Sequence, residues 1–210
     1  MEAEHESTPL RKADAGPDPI ALFRRWFEDA LTACEATRLD PTAMTLATAT
    51  GDARPNARIV LLKHFDERGF VFYTDRASQK GRELRANARA ALVFHWPLLD
   101  RQVRILGDVE EVDEAGARGY FAGRPRGHQI ASHAAHQSRI IPGRDWLDER
   151  VAELEEQFAP EDVPMPERWV GFRVVPDEIE FWQGRPNRLH DRLRYRRLDA
   201  AAWRLDCLAP

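Results

Sequence analysis

"AMTLATATGDARPNARIVLLKHFDERGFVFYT", Ala43 to Thr74, is the stretch whose reading decides the fold. It holds three short runs rich in β-branched and aromatic residues, "AMTLATAT", "ARIVLLKHF" and "GFVFYT", separated by the turn-forming "GDARPN" and "DERG". Connections this short leave no room for crossover helices, which argues for antiparallel strands. Two further runs follow, "AALVFHW" (90–96) and "RQVRILGDVEEV" (101–112), with a short helix predicted in "SQKGRELRANAR" (78–89). The series predicts an antiparallel sheet or barrel.

Before these strands, "DPIALFRRWFEDALTACEA" (18–36) reads as a helix. Asp18 is the expected N-cap, Pro19 the first helical residue, and Ile20, Phe23, Phe27 and Leu31 an apolar stripe. Residues 1–17 are polar and broken by Pro and Gly, which predicts a flexible N-terminal arm. After the strands the pattern turns helical in "EAGARGYFAG" (114–123), around "HQIASHAAHQS" (128–138) and in "RDWLDERVAELEEQF" (144–158). A Pro-rich connector, "APEDVPMPERW", leads to four more strands: "WVGFRVVP", "EIEFWQG", "RLRYRRL" and "AWRLDCL". Two groups of strands around a helical insert predict one α+β domain over residues 18–210 with a β-barrel core.

Composition narrows the function. The 210 residues carry 31 Lys and Arg against 35 Asp and Glu, a formal charge of −4, which speaks against a protein living on nucleic acid. Two cysteines, Cys34 and Cys207, are too few for a disulfide framework and form no C-x-x-C pair. No apolar run is long enough to span a bilayer, and the first residues lack a signal-peptide core, so a soluble cytoplasmic protein is expected.

Several segments gather anion donors. In "RIVLLK" two cations, Arg58 and Lys63, bracket an apolar strand, and strict alternation puts them on opposite faces. Either each marks a strand end in solvent, or each holds a different anion, or a bulge intervenes. "YTDRASQKG" adds Tyr73, Thr74, Ser78, Gln79 and Lys80 at a helix start, where an ordinary helix cap is the first reading and a phosphate site the second. "DRQVRILG" presents Gln102, and "YFAGRPRGHQ" presents Tyr120, Arg124 and His128. His128, His133 and His136 lack a clear further ligand, so no metal site is expected. No G-x-G-x-x-G, Walker-type, G-x-S-x-G or H-E-x-x-H motif is present, so any chemistry points to a cofactor. Near the C-terminus, "GRPNRLHDRLRYRRL" (184–198) concentrates six arginines, with Arg188, His190 and Arg192 at a spacing of two.

Taken in order, "RIVLLK", "FYT", "SQKG", "RQVRI.G", "YF..RPR", "HQS", "FWQG", "RLHDR" and the final "LAP" resemble the pyridoxine/pyridoxamine 5′-phosphate oxidases over about residues 18–210. The resemblance implies an FMN-binding split β-barrel, mostly antiparallel with flanking helices, and a homodimer with sites at the subunit interface. It implies that Arg58 and Lys80 hold the flavin phosphate, with Thr74 and Ser138 as further donors. The segment Ile59, Val60, Leu61, Leu62 and Lys63 would run beside the flavin ring, and Tyr73, Gln79, Gln102, Gln137, Trp182 and Arg192 would complete the cofactor pocket. Lys63, Tyr120, Arg124 and His128 would grip the substrate phosphate, with Arg188 and His190 over the substrate ring as the catalytic pair. His128 stands where the family usually has serine, and Gln79 where it often has a basic residue.

The implied reaction is FMN-dependent oxidation of pyridoxamine or pyridoxine 5′-phosphate to pyridoxal 5′-phosphate. Oxygen is the acceptor, hydrogen peroxide is released, and ammonia leaves from the amine. A phenazine-type oxidase on the same fold, acting on a bulkier aromatic, and a non-catalytic flavin-binding split barrel are the alternatives. Neither nucleic acid nor membrane is an implied partner.

Overall fold

The computed structural model describes residues 9–199 and 202–210. Among these, nine strands form one antiparallel sheet: β1 (Ala43–Ala49), β2 (Pro55–Leu61), β3 (His64–Asp66), β4 (Gly69–Asp75), β5 (Arg89–Trp96), β6 (Arg101–Glu111), β7 (Trp169–Gln183), β8 (Asp191–Arg197) and β9 (Trp203–Cys207). The order is β2-β1-β5-β6-β7-β4-β3, with β8 on β7 and β9 on β8. β7 pairs along its length with β6, while its first half also pairs with β4 and its second half with β8. That branching curls the sheet.

The pattern of "WVGFRVVP" and "EIEFWQG" predicts two strands, yet β7 is one strand of 15 residues. Pro176 lies inside it because the register with β6 shifts between Leu106 and Gly107, leaving Asp177 unpaired as a bulge. Gly107 permits this: a Cβ there would lie 2.0 Å from the Val175 carbonyl oxygen.

The helices are α1 (Lys12–Ala15), α2 (Pro19–Cys34), α3 (Gln79–Ala86), α4 (Glu114–Ala122), α5 (Arg126–Ala134) and α6 (Arg144–Gln157). Asp18 caps α2 through its side chain, accepting from the Ile20 N–H at 2.8 Å, as its position before Pro19 predicts. The buried stripe of α2 runs through Leu22, Phe23, Trp26, Ala30 and Cys34, and Leu31 is 43% exposed at its edge. Phe23 fills the hollow of the sheet, with ring centroids 4.9, 4.8 and 5.1 Å from Phe65, Phe70 and Phe94 in edge-on arrangements.

Of the expected flexible arm, residues 1–8 lie outside the described residues, and residues 9–17 are docked. Ala15 is buried, the Tyr195 hydroxyl donates to the Gly16 carbonyl at 2.8 Å, and the Leu10 N–H donates to Asp191. A polar composition predicted mobility, but those backbone bonds and one buried alanine hold the segment down.

A second, smaller core joins α4, α5 and α6 to the start of β7 through Phe121, Ile130, Ala134, Leu154, Val163 and Trp169. No described helix is long and apolar enough to cross a membrane.

Candidate active site

Between the β2–β4 side of the sheet and the α4–α5 helices lies an open cavity of about 790 Å³. Its wall includes Arg58, Ile59, Val60, Leu61, Lys63, Tyr73, Thr74, Lys80, Tyr120, Arg124, His128 and Gln137. Twelve of the residues singled out by sequence therefore meet at one place, drawn from β2, β4, α3, α4 and α5 and the turns beside them. Arg58 and Lys63 share this wall, although unbroken alternation would separate them. The reason is a change of strand partner: β2 ends at Leu61, Leu62 turns into the core, and the Lys63 N–H bonds to the Val71 carbonyl of β4. Leu62, 4% exposed, thus packs inward rather than along the cavity.

One cluster of donors forms around α3. Ser78 caps that helix by accepting from the Gly81 N–H at 3.2 Å. The Lys80 ammonium donates to Thr74 Oγ1 at 3.2 Å and Gln137 Oε1 at 3.0 Å, and Thr74 itself donates to Gln137 at 2.9 Å. The Gln79 N–H donates to Ser138 Oγ at 3.1 Å. Burial, and next the nearby Arg58 charge, push the Lys80 ammonium below its ordinary range. The Arg58 guanidinium donates to Thr48 Oγ1 at 2.6 Å and pairs with Glu83 at 3.1 Å.

A second cluster sits on α4 and α5. Tyr120 stacks on Tyr73, and the Arg124 guanidinium lies 4.3 Å from the centre of the Trp169 ring. Arg124 donates to Ser132 Oγ at 2.7 Å, and Ser132 in turn donates to the His128 carbonyl. Burial raises the Tyr120 phenol and lowers the Arg124 guanidinium relative to their ordinary values, so the phenol stays a neutral donor at physiological pH.

The other expected residues lie elsewhere in this chain. Gln79 turns its amide to Glu83 rather than into the cavity, and Ser138 is engaged with the Gln79 backbone. Gln102, Trp182 and Arg192 form a cross-strand row on β6, β7 and β8, with Gln102 opposite Trp182 and Trp182 opposite Arg192. His190 packs its ring 4.5 Å from that of Trp182, and its Nδ1 accepts from the Arg185 N–H. Arg188 is exposed in a turn where it and Asn187 both have positive φ. Arg192 donates to Glu180 at 2.9 Å and to the Ala209 carbonyl at 2.8 Å. None of these residues lines the cavity of the same chain. Among the described residues, no group of His, Cys, Asp and Glu is arranged to hold a metal ion.

Among the side chains that bond or stack at the cavity wall, Ser132 and Trp169 escaped the reading of the sequence, as did Glu83, which bonds to Arg58 from behind the wall. Glu83 has a partial signal, four residues after Gln79 on α3, where helical spacing puts both on one face. Ser132 and Trp169 have none, because their partner Arg124 is brought to them by the packing of the second core.

Comparison with known proteins follows the same lines. Residues 30–158 match the family model described as pyridoxamine 5′-phosphate oxidase. Residues 169–210 match the one described as pyridoxine 5′-phosphate oxidase C-terminal dimerisation region. The pyridoxine/pyridoxamine 5′-phosphate oxidase of Gloeothece citriformis is 50% identical over 203 residues, covering 97% of this chain and 94% of its own. That of Rubrobacter xylanophilus is 50% identical over 210 residues, covering 100% of this chain and 95% of its own. Among solved structures, PhzG from Burkholderia lata, in complex with tetrahydrophenazine-1-carboxylic acid, gives a TM-score of 0.86 at 34% identity, covering 97% of this chain and 99% of that one. A pyridoxamine 5′-phosphate oxidase-related, FMN-binding protein from Nostoc punctiforme shares the fold, with a TM-score of 0.74 at 16% identity over 90% of this chain and 97% of that one. The curled antiparallel sheet, the clustered cations and this near full-length kinship together make the chain a member of the pyridoxine/pyridoxamine 5′-phosphate oxidase family, on its split-barrel fold.

Proposed function

We propose that this protein oxidises pyridoxamine 5′-phosphate and pyridoxine 5′-phosphate to pyridoxal 5′-phosphate, using FMN and oxygen. The observation that carries the reading is the pair of donor clusters on one cavity wall, Arg58 with Lys80 and Tyr120 with Arg124, joined by the β2 segment Ile59–Leu61. Two phosphate-bearing molecules need two such clusters, and an unphosphorylated ligand leaves one of them idle.

The residues fit the phosphate end of FMN. Two cations, Arg58 and Lys80, stand near two buried carboxylates, Glu83 and Asp75; Asp75 is itself paired with Arg168, so three cations face two carboxylates and an anion relieves the excess. Thr74 and Gln137 add a neutral hydroxyl and amide to the same network, and Ser138, off the cavity wall, accepts from the Gln79 N–H. When bound, FMN supplies a two-electron acceptor that oxygen reoxidises with release of hydrogen peroxide. The chain's own task is orientation. Lys63, Tyr120, Arg124 and His128 hold the substrate phosphate, and that remote binding energy fixes the reacting carbon where it must stand. An alcohol leaves as the aldehyde, and an amine leaves as an imine that water hydrolyses to aldehyde and ammonia.

Arg188, His190, Trp182, Arg192 and Gln102 act from a second copy of the chain. Four of these five lie within residues 169–210, the segment matching the family's dimerisation region. The edge strand β2 supports this assembly, since Ile59 is 64% and Leu61 37% exposed beside the cavity in one chain. In the homodimer, Arg188 and His190 cover the substrate ring. The enzyme works in the cytoplasm, and its two unpaired cysteines suit a reducing compartment.

The likeness to PhzG supports a second reading, oxidation of a larger tricyclic carboxylate. The deciding experiment is oxygen-dependent formation of aldehyde from pyridoxamine 5′-phosphate by purified protein reconstituted with FMN. Aldehyde and peroxide in equal amounts support the first reading. Turnover of a reduced phenazine carboxylate without turnover of the pyridoxamine ester supports the second.

A further inference from the structure

Glu83 enters the account above only as a counter-charge, yet it is the most heavily bonded carboxylate near the cavity. It is 5% exposed and accepts four side-chain hydrogen bonds: Thr48 Oγ1 at 2.5 Å, Asn56 Nδ2 at 3.2 Å, Arg58 Nη2 at 3.1 Å and Gln79 Nε2 at 3.0 Å. The donors come from β1, β2 and α3, so one carboxylate ties the strand that carries Arg58 to the helix that carries Lys80. Burial raises its proton affinity, but the bonds from Thr48, Asn56, Arg58 and Gln79 outweigh that and hold it below the ordinary carboxylate range.

Arg58 needs such an anchor. Its side chain is 19% exposed, and one of its guanidinium nitrogens is taken by Thr48 Oγ1 and the Leu46 carbonyl. With the other nitrogen held by Glu83, the flat guanidinium is fixed in one orientation before any ligand arrives. A long side chain fixed in this way loses little further freedom on binding an anion. We infer that Glu83 is a positioning residue that pre-organises Arg58 for the cofactor phosphate and thereby makes flavin recognition phosphate-dependent.

The inference rests on the flavin reading and adds to it a selectivity between FMN and riboflavin. It has an opposite as well: a carboxylate beside a phosphate site could merely repel the phosphate. The two differ in sign. A glutamine at position 83 keeps the size but offers one acceptor oxygen to four donors, and its NH₂ faces other N–H groups.

The experiment titrates apoprotein with FMN and with riboflavin, following quenching of flavin fluorescence. It compares the wild type with Glu83→Gln, Glu83→Ala, Arg58→Ala and the Arg58→Ala/Glu83→Gln double variant, with thermal unfolding as the check on folding. We expect both Glu83 variants to weaken FMN by about tenfold or more, the scale of a hydrogen bond to a charged group. Riboflavin should change less than about twofold, and the FMN loss should vanish once Arg58 is absent, as coupling requires. Equal losses for both flavins, a loss that persists without Arg58, or tighter FMN binding in Glu83→Gln would each overturn the inference. Wild-type apoprotein that binds neither flavin would sink the flavin reading itself, before any variant is considered.

Discussion

Tyr73 on β4 and Tyr120 on α4 stack with ring centroids 4.1 Å apart and planes 5° from parallel. The contact fastens the helical insert to the sheet at the cavity wall, and Trp169 continues the stack with its ring parallel to that of Tyr73. Tyr120→Phe keeps the rings and removes only a donor. It should raise KM for pyridoxamine 5′-phosphate severalfold with unfolding unchanged, while Tyr73→Ala should cost about 2–4 kcal/mol of stability. Steady-state kinetics and urea unfolding separate the two; a Tyr120→Phe variant with wild-type KM would remove the hydroxyl from the substrate site.

Lys63 reaches the cavity because the chain leaves β2 just before it. Lys63→Ala should lower kcat/KM for pyridoxamine 5′-phosphate by about 10- to 100-fold, the scale of one charge-assisted contact. Unphosphorylated pyridoxamine should lose far less. Equal losses for the two substrates would show that Lys63 does not meet a phosphate.

Arg188 is exposed in a positive-φ turn, away from the cavity of its own chain. If it acts across a dimer, Arg188→Ala should reduce turnover while bound flavin and dimer mass stay as in the wild type. Mixing Arg188→Ala with Lys63→Ala subunits should restore one intact site in each hybrid dimer. Absence of any complementation would confine both residues to the same chain's site.

Tyr195 is fully buried, donates to the Gly16 carbonyl, and has its phenol pushed up to about 12 by burial. An unfolded tyrosine ionises near 10, so the sign is clear: the contribution is complete below pH 10 and is lost as pH rises from 10 towards 12. Tyr195→Phe should flatten that part of the stability–pH curve, measured by urea unfolding at several alkaline pH values. An unchanged slope in the variant would place the alkaline sensitivity elsewhere.

Gly107 lies where β7 bulges, and a methyl group there would meet the Val175 carbonyl at 2.0 Å. Gly107→Ala should destabilise the fold by about 1–3 kcal/mol, as overpacking does. Gly119→Ala, with nothing within 4 Å of the added carbon, should be neutral or slightly stabilising. Thermal melts of the pair would test whether the bulge or the loss of glycine in general is responsible.

Local signals carried a good part of this protein. Asp18 before Pro19, Ser78 before α3, and the turns "GDARPN" and "DERG" each act over a few residues, so the chain declares them without knowing its fold. The order of donor motifs from Arg58 to Arg192 was also legible, since it is a linear pattern. What the sequence could not decide depends on residues far apart in it. β7 stays one strand through Pro176 because Gly107 of another strand makes room for the bulge. Arg58 and Lys63 share a cavity because the chain exchanges a β1 partner for a β4 partner between them. Glu83 became visible only when Thr48, Asn56 and Arg58, 25 to 35 positions away, were brought against it. Periodicity and capping are short-range physics and can be read from neighbours. Charge compensation in a buried site is settled by whichever strands the folded sheet lays side by side.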